Sequence, residues 1–435
     1  MTHSPYGAAD PSTALLTDHY ELTMLASALT AGTAERQCVF ELFARGLPLG
    51  RRYGVVGGIA RALDAVLDFR FKAQEIEHLA ATTVVDDHTL EWLANYSFSG
   101  DIDGYPEGEL YFPGSPVMTV RAGFGEAVVL ETVLLSILNH DTAVTSAAAR
   151  MSSAAGDRPI IEMGTRRTHE HAAVAAARAS YLGGFATTSN LEAGRRYSIP
   201  TRGTVAHSFI LLHDSEEEAF RAQVEQMGTD TTILVDTYDI STGIDTAVRV
   251  AGTDLGAVRI DSGDVGVLAR QARQQLDSLG AHDTRVVVSG DLDEHAIAAL
   301  RAEPVDAYGV GTSVVTGSGA PTAEMVYKLV EVDGKPVAKR SINKPSRGGR
   351  KAALRRHKPT GTATTEVVYP VDDPPAAEPH DRTLQIPLVR GGSPVADLPS
   401  LEDDRDRLRS ALVSLPWEGL KLSRGEPAIP TVFTQ

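Results

Sequence analysis

Short apolar runs alternate with longer amphipathic segments along the chain from residue 158 onwards. The short runs have the length and β-branched content of buried strands, whereas the segments between them repeat apolar residues at helical spacing. The predicted strands are RPIIEM, TVAHSFILL, TTILVDT, GAVRI, TRVVVSG and VDAYGVG, and the predicted helices are THEHAAVAAARASYLGG, SEEEAFRAQVEQM, TGIDTAVRVAG, VGVLARQARQQLDSLG and DEHAIAALRA. Repeated strand–helix units predict a parallel sheet with right-handed crossovers, and six or more in succession favour a barrel, complete or irregular, over an open sheet.

The first 125 residues have a different, mixed α/β pattern. DHYELTMLASALTAG and VGGIARALDAVLDF predict helices, CVFELFAR predicts a strand, and residues 98–125 break into short strands and turns at Gly and Pro. A long apolar helix is predicted from EAVVLETVLL to AAARM. We therefore expect an N-terminal α/β domain (1–125), a barrel (126–356) and a C-terminal extension (357–435) that packs back on the N-terminal domain. In that extension, residues 360–400 are expected to be irregular and LEDDRDRLRSALVSL to be helical.

Composition narrows the class of protein. The formal net charge of −16 argues against nucleic acid or an anionic membrane as the main partner. The one cysteine, Cys38, fits a reducing compartment, and neither a signal peptide nor a bilayer-spanning apolar run is evident, so we expect a soluble, cytoplasmic protein. Ten Lys/Arg and no acid between residues 335 and 358 indicate either an anionic ligand or a solvated hairpin.

Polar residues gather where the predicted strands end. In a parallel barrel these carboxyl ends form one rim, where ligands bind. The rim segments are Gly164-Thr165-Arg166-Arg167, Thr187-Thr188-Ser189-Asn190, His207-Ser208, Asp236-Thr237-Tyr238-Asp239, Asp261-Ser262-Gly263-Asp264, Ser289-Gly290-Asp291 and Gly311-Thr312-Ser313. Each segment alone can be turn or N-cap chemistry. Together, phosphate-binding turns beside carboxylates and an arginine fit a ribose 5-phosphate.

The sequence lacks the standard nucleotide and zinc motifs. GVGTSVV has no third glycine of a dinucleotide fingerprint, and no phosphate-binding G-x-x-x-x-G-K-[ST] or H-E-x-x-H segment occurs. His207 stands alone in GTVAHSF, without a second histidine or a cysteine at metal-ligand spacing. From these residues alone, it is a core histidine, a metal ligand or a group carrier.

A set of motifs in order resembles the nicotinate phosphoribosyltransferase family. They run from about residue 15 to about residue 356: LLTDHYELTM, FELFARGLP, EMGTRRTHE, TTSNLEAG, GTVAHSF, VDTYD, RIDSGD, SGDLDE and YGVGTSVVT. The resemblance implies a type II phosphoribosyltransferase fold, with an irregular (β/α) barrel beside an N-terminal α/β domain. It also implies a homodimer with shared active sites. The implied reaction joins nicotinate to phosphoribosyl pyrophosphate, giving nicotinate mononucleotide and pyrophosphate, with ATP as co-substrate and Mg²⁺ as cofactor, in NAD salvage.

The same resemblance implies roles for particular residues. His207 falls on the family's phosphorylated histidine, a role that a neutral imidazole can fill, and Asp261 falls on a catalytic acid. The implied nicotinate contacts are Tyr20, Arg166, Ser189, Thr204 and Arg259, and the implied phosphoribosyl contacts are Asp261, Ser289, Gly290, Asp291, Gly311 and Thr312. Tyr20 can stack on a pyridine ring, Arg259 can neutralise its carboxylate, and the acids can stabilise a cation-like sugar.

Other functions remain as alternatives. A nicotinamide-specific relative would favour an acid facing the base, where this chain has Ser189. A quinolinate-type enzyme would need more basic residues and no acceptor histidine. A sugar-phosphate lyase or aldolase barrel would need a Schiff-base lysine or a metal cluster, and residues 158–310 contain no lysine. A non-enzymatic sensor of NAD metabolites would not need His207 together with both acids.

Overall fold

The computed structural model describes residues 12–339 and 347–434, which divide into two compact units. One unit combines both ends of the chain, Met1–Ala143 and Thr322–Gln435, and the other is the continuous segment Val144–Pro321. The unit boundaries lie at 143/144 and 321/322, whereas the sequence pattern placed domain boundaries near 126 and 356.

Helices and strands alternate along most of the chain. In chain order, the α-helices are α1 (His19–Thr30), α2 (Ile59–Leu67), α3 (Ala73–Thr82), α4 (Asp87–Ala94), α5 (Phe124–Val128), α6 (Glu131–Ala155), α7 (Glu170–Leu182), α8 (Leu191–Tyr197), α9 (His207–Leu211), α10 (Glu216–Met227), α11 (Ile240–Ala251), α12 (Val265–Ser278), α13 (Glu294–Ala299), α14 (Thr312–Val315) and α15 (Leu401–Ser414). The strands are β1 (Gln37–Ala44), β2 (Gly54–Val55), β3 (Asp101–Gly104), β4 (Leu110–Tyr111), β5 (Met118–Gly123), β6 (Ile160–Glu162), β7 (Thr187–Thr188), β8 (Thr232–Leu234), β9 (Ala257–Ile260), β10 (Arg285–Val288), β11 (Ala307–Val310), β12 (Met325–Val332), β13 (Lys335–Pro336), β14 (Lys351–His357), β15 (Ala363–Pro370), β16 (Arg382–Thr383), β17 (Ile386–Arg390), β18 (Ser393–Pro394) and β19 (Thr431–Phe433).

The continuous unit is built on a six-stranded parallel sheet in the order β7-β6-β11-β10-β9-β8. Apolar residues such as Val258, Val286 and Val310 are fully buried on these strands, and helices fill most of the crossovers, as the alternating pattern predicts. β7 and β8 are the edges of this sheet, so it forms part of an irregular barrel. The predicted α/β barrel class is confirmed, with all strand carboxyl ends on one rim.

The unit made from both ends of the chain is centred on an antiparallel sheet. Its seven strands have the order β13-β12-β1-β5-β3-β17-β18, and β1 pairs with β12 on one side and β5 on the other. Phe40, Leu42 and Ala44 of β1 are buried in the main apolar core. A four-stranded sheet, β16-β14-β15-β19, and the short β2–β4 pair complete the unit.

Two sequence expectations about secondary structure are wrong. TVAHSFILL is not a strand, because α9 begins at His207 within it. Residues 360–400 are not irregular, since β15 to β18 lie there and pair with partners far away in sequence. The predicted long apolar helix is present, with a break only at residues 129–130 between α5 and α6. By length and composition, the segment Phe124–Ala155 could cross a membrane, but 61% of its apolar window is buried, as in a core helix.

A buried ion network joins the two chain segments of the first unit. Arg355 on β14 is 0% exposed and donates to Glu109 Oε1 at 2.6 Å and to Glu366 Oε2 at 2.7 Å. Arg382 also donates to Glu109, and Tyr105 donates to Glu366. Burial would raise the pKa of Glu109, but Arg355 and Arg382 outweigh burial and lower the pKa to about 2.

Four of the eight basic residues described between 335 and 358 form ion pairs within this unit: Arg350, Lys351, Arg355 and Arg356. Lys351 pairs with Glu41 at 2.8 Å, Arg356 lies beside Glu378, and Arg355 belongs to the network above. Arg340 and Lys344 lie outside the described residues. The paired members therefore stabilise the fold, and their charge is compensated without an anionic ligand.

Arg355→Met should strongly destabilise the unit that contains the network. The substitution leaves the buried carboxylates of Glu109 and Glu366 without their shared cation, which costs about 3–5 kcal/mol. Urea unfolding followed by tryptophan fluorescence measures this loss, because Trp92 and Trp417 both belong to this unit.

The matched control is Arg409→Met, which removes an exposed ion pair with Asp406. It should change stability by less than about 1 kcal/mol. Equal effects of the two substitutions would contradict the role given to the buried network.

Candidate active site

Three neighbouring strands end in polar residues at the rim of the parallel sheet. Asp236 lies two residues after β8, Asp261 directly after β9, and Ser289 directly after β10. β9 pairs in register with both neighbours, Leu234 opposite Arg259 and Val288 opposite Ile260, so the three polar residues come together. The buried apolar strands thus hold a polar cluster at their carboxyl ends, where the sequence placed it.

Asp261 is the most connected member of this cluster. Arg259 donates to it twice, from Nε to Oδ1 and from Nη2 to Oδ2, both at 3.0 Å, and the Ser289 hydroxyl also donates to it. Its backbone N–H donates to Asp236 Oδ2 at 2.8 Å. Burial raises the pKa of Asp261, but the Arg259 charge, the hydrogen bonds and the nearby His207 together lower it, so the carboxylate is ionised at neutral pH.

His207 faces the same carboxylates from the first residue of α9. Its Nδ1 lies 3.0 Å from the Thr237 hydroxyl, and its Nε2 lies 3.8 Å from Asp236 Oδ1 and 3.9 Å from Asp261 Oδ2. The imidazole is 42% exposed, whereas the Asp236 side chain is 1% exposed and its Oδ1 has no hydrogen-bond partner among the described residues. A core histidine would be buried, whereas this ring is accessible to a ligand.

A cavity of 660 Å³ opens beside this cluster. Four of the five predicted nicotinate contacts line it: Arg166, Ser189, Thr204 and Arg259. Its wall includes apolar side chains of Met163 and Val287, which suit a flat ring, and Thr204 Oγ1 accepts from Arg259 Nη1 at 3.4 Å. The fifth predicted contact, Tyr20, lies on α1 in the other unit, where it is 47% exposed. Burial and nearby carboxylates, Glu131 first among them, raise the pKa of Tyr20 to about 12.

Glu162 fixes the shape of the rim between β6 and β7. This side chain is nearly fully buried and accepts hydrogen bonds from the Gly164 N–H and the Thr188 hydroxyl. The Ser189 N–H donates to the Glu162 carbonyl at 2.8 Å. Ser189 therefore projects from a fixed backbone.

The predicted phosphoribosyl contacts lie on two adjacent loops, after β10 and after β11. Gly290 has φ +101°, and a Cβ there would lie 2.0 Å from the Asp261 carbonyl, so only glycine fits this close approach. Asp291 adopts φ +49°, which is uncommon outside glycine. Gly311 precedes Thr312, the first residue of α14, whose first-turn N–H groups have no helical partner. The backbone N–H groups of these two loops can donate hydrogen bonds to phosphate oxygens.

Some rim residues have purely structural roles. Asn190, Asp239 and Asp264 are N-caps that accept from Ala193, Thr242 and Val267. In contrast, Asp236 and Thr237 were recognised as rim residues but were not assigned roles, although they contact His207. Their position directly after the apolar run of β8 was the available signal. Arg202, which also lines the cavity, was missed because it follows no predicted strand.

Comparisons with known proteins agree with the division of the chain near residue 143. Residues 15–139 match the nicotinate phosphoribosyltransferase N-terminal domain, and residues 144–319 match the quinolinate phosphoribosyl transferase C-terminal domain. The chain is 64% identical over 431 residues to nicotinate phosphoribosyltransferase pncB1 of Mycobacterium tuberculosis, covering 97% of this chain and 95% of that protein. It is 39% identical to the Bacillus subtilis nicotinate phosphoribosyltransferase, covering 76% and 70%. The crystal structure of human nicotinic acid phosphoribosyltransferase superposes with a TM-score of 0.82 at 25% identity, covering 96% and 98%.

The barrel, its rim loops and these matches define a phosphoribosyltransferase fold of the nicotinate and quinolinate type. Because it matches two such relatives at 64% and 39% identity over more than two thirds of each, the chain belongs to the nicotinate phosphoribosyltransferase family.

Arg259→Ala should destabilise the barrel unit in a pH-dependent way. In the wild type, the lowered pKa of Asp261 contributes stability above the ordinary aspartate pKa of about 3.9, and this stability is lost as the pH falls through the lowered value. Without Arg259 we expect the free energy of unfolding to fall by about 1–3 kcal/mol at pH 7. Below about pH 4 the difference from wild type should be smaller. Circular dichroism of urea unfolding between pH 3 and pH 8 measures both.

Arg249→Ala, which removes an exposed ion pair with Glu217 in the same unit, is the matched control. A difference between Arg259→Ala and wild type that stays constant from pH 3 to pH 7 would exclude the Asp261 pair as its source.

Proposed function

We propose that this chain transfers the phosphoribosyl group of phosphoribosyl pyrophosphate to nicotinate, releasing pyrophosphate, and couples this to ATP hydrolysis through a phosphohistidine at His207. The observation that carries the ATP coupling is the exposed His207 imidazole, held at Nδ1 by Thr237 and facing two carboxylates with Nε2. Membership of the nicotinate phosphoribosyltransferase family supports the transfer reaction and its place in NAD biosynthesis.

In this proposal the cavity binds the nicotinate ring. Its apolar wall packs on the ring, and Arg166, Ser189, Thr204 and Arg259 supply hydrogen-bonding groups around it. Tyr20 stacks on the ring as the remaining aromatic contact. The absence of an acidic residue at position 189 supports nicotinate over nicotinamide as substrate, because a carboxylate there would repel the acid.

The two loops hold the sugar phosphate. Ser289, Gly290, Asp291, Gly311 and Thr312 offer backbone N–H groups and short polar side chains to the phosphoribosyl group. Transfer breaks the bond from C1 of the ribose to the pyrophosphate oxygen and forms a bond from C1 to the ring nitrogen. Positive charge develops on the sugar during this exchange. Asp261, which is held ionised, stabilises this charge together with Asp291.

His207 acts in a separate phosphoryl transfer. With the proton on Nδ1, directed at the Thr237 hydroxyl, the Nε2 lone pair is free to attack the γ-phosphorus of ATP. A nitrogen–phosphorus bond forms while the phosphorus–oxygen bond to ADP breaks. The carboxylates of Asp236 and Asp261 stabilise the positive charge on the phosphorylated ring, and water later takes the phosphoryl group as phosphate.

Mg²⁺ fits the residues present. The described residues contain no group of three or more His, Cys, Asp or Glu side chains in metal-binding geometry, but Mg²⁺ bound to substrate phosphates needs only one or two carboxylates. Asp236 Oδ1 is buried and without a hydrogen-bond partner in the described structure, and Asp291 lies on the phosphate loop. These two acids would hold the ion, which when bound neutralises phosphate charge.

A turnover assay with nicotinate, nicotinamide and quinolinate, each with and without ATP, tests the reaction. We expect nicotinate mononucleotide from nicotinate, and faster formation with ATP. Turnover of nicotinamide or quinolinate in place of nicotinate would overturn the proposal. An aldolase-type reaction has no support, because the segment 158–310 contains no lysine.

His207→Ala should abolish ATP hydrolysis and the phosphoenzyme labelled from γ-³²P ATP. Some ATP-independent synthesis of nicotinate mononucleotide should survive, because the base cavity, the ribose acids and the phosphate loops remain. Label incorporation, ATP hydrolysis and product formation are measured on the same preparation, and thermal melting confirms that it is folded.

His213→Ala is the control for this experiment. His213 lies six residues away and bonds to the Phe209 carbonyl at 2.8 Å rather than facing the acids. The His213→Ala protein should still form the labelled phosphoenzyme. A folded His207→Ala protein that still forms an acid-labile phosphoenzyme would show that another histidine, such as His169 or His213, is the carrier.

We also propose a homodimer in which Tyr20 of one protomer completes the site of its partner. Tyr20→Ala and His207→Ala lie on different units of the chain, so mixed dimers would contain one site with neither substitution. Mixing the two variants after partial dissociation should therefore restore some ATP-coupled activity, up to about a quarter of wild type if subunits assort at random. A fully active monomer in light scattering would refute the shared site.

A further inference from the structure

The cavity beside His207 contains three arginines, and one of them is already neutralised. Arg259 is mostly buried and makes the paired hydrogen bonds to Asp261, so its charge is compensated before any substrate binds. Its remaining N–H groups can position a ligand. A paired guanidinium nevertheless gives a carboxylate much less net attraction than a free one.

Arg202 also lines this cavity and, like Arg166, is not neutralised by any described residue. Across residues 12–339 and 347–434, its guanidinium has neither an acidic partner nor a side-chain hydrogen bond. The one carboxylate that lines the same cavity, Asp230, pairs with Arg285 at 3.1 Å. Arg202 therefore brings a free positive charge to the cavity.

The backbone turns this exposed side chain towards the cavity. The Arg202 N–H donates to the Thr188 carbonyl at 2.9 Å, and the Thr188 N–H donates to the Pro200 carbonyl at 3.1 Å, so the segment runs extended beside β7. The Thr201 methyl points towards α8, since a Cβ on Gly194 would lie 2.5 Å from it. Successive side chains of an extended segment point to opposite sides, which turns Arg202 away from α8 and into the cavity.

Arg202 and Thr204 therefore share one side of the segment, two residues and roughly 6.6 Å apart. Because Thr204 Oγ1 contacts Arg259, the free and the paired guanidinium flank the same part of the cavity. The third arginine, Arg166, follows β6 next to Gly164, where a Cβ would lie 3.0 Å from the Gly311 carbonyl. Arg166 thus follows a segment that lies against a phosphate loop, whereas Arg202 lies beside Thr204 and Arg259.

We propose that Arg202 binds the ring carboxylate of the aromatic substrate and sets the preference for the acid over the amide, with Arg259 positioning the ring. This inference rests on the proposed function, because it takes the cavity to be the nicotinate site. A free guanidinium gains a charge-assisted hydrogen bond from a carboxylate and only a neutral one from a carboxamide, so its contribution is selective.

The test compares Arg202→Gln and Arg202→Lys with wild type in initial-rate assays. Nicotinate, nicotinamide and phosphoribosyl pyrophosphate are varied separately, and calorimetry measures nicotinate binding directly. The matched control is Arg195→Gln, an exposed arginine on α8 that pairs with Glu192 at 2.6 Å and does not line the cavity. Melting temperatures confirm that each variant is folded.

Arg202→Gln should raise the KM and Kd for nicotinate by about 10- to 100-fold, as expected for loss of a charge-assisted hydrogen bond. The kcat, the KM for phosphoribosyl pyrophosphate and any nicotinamide turnover should change by less than about twofold. Arg202→Lys should recover part of the loss because it keeps the charge, and Arg195→Gln should behave as wild type.

Three results would overturn the assignment: an unchanged KM for nicotinate, an equal loss for nicotinate and nicotinamide, or a loss confined to phosphoribosyl pyrophosphate. The last result would make Arg202 a phosphate ligand. A wild-type protein that does not use nicotinate would refute the proposed function itself. An active wild type with an unchanged Arg202→Gln variant would refute only the role of Arg202.

Discussion

The carboxylate of Asp261 ties together the ends of three neighbouring strands. It accepts from Arg259 on its own strand and from Ser289 after β10, and its backbone N–H donates to Asp236 after β8. The same carboxylate faces His207. Arg259 and Ser289 are therefore positioned through one side chain that is held ionised by its neighbours, and Asp236 is positioned through the backbone of the same residue. The remaining features of the site depend on this anchor.

The pairing of Arg259 with Asp261 separates two tasks: orienting a ligand and attracting it by charge. Within RIDSGD, Arg259 and Asp261 are a paired unit whose net charge is near zero, so the motif orients ligands more than it attracts them. Net positive charge comes instead from arginines on other segments, which differ in their distance from the phosphate loops. Under the proposed function, the position of each free guanidinium decides which anionic substrate it binds.

The sequence predicted most of the fold because the strands of the barrel unit are buried on both faces and form continuous apolar runs. It also predicted the rim, since the strands are parallel and all their carboxyl ends meet there. Local pattern failed where long-range pairing decides the structure. β15 and β17 lie in a polar, Pro-rich stretch and are strands because β14 and β3 pair with them. TVAHSFILL has strand-like composition, yet α9 begins in it, outside the sheet. The pairing of Arg259 with Asp261 had no sequence signal beyond their separation by two residues.

The discontinuous unit has a consequence for the order in which the protein folds during synthesis. The barrel unit is one uninterrupted stretch, so it is complete once residue 321 has left the ribosome. At that time β1 has its neighbour β5 but still lacks β12, and Glu109 still lacks Arg355. The N-terminal segment is made first but is completed last, since domains fold as units. Until then the N-terminal segment exposes the unpaired edge of β1 and the Glu109 carboxylate, and chaperones that bind nascent chains can reach both.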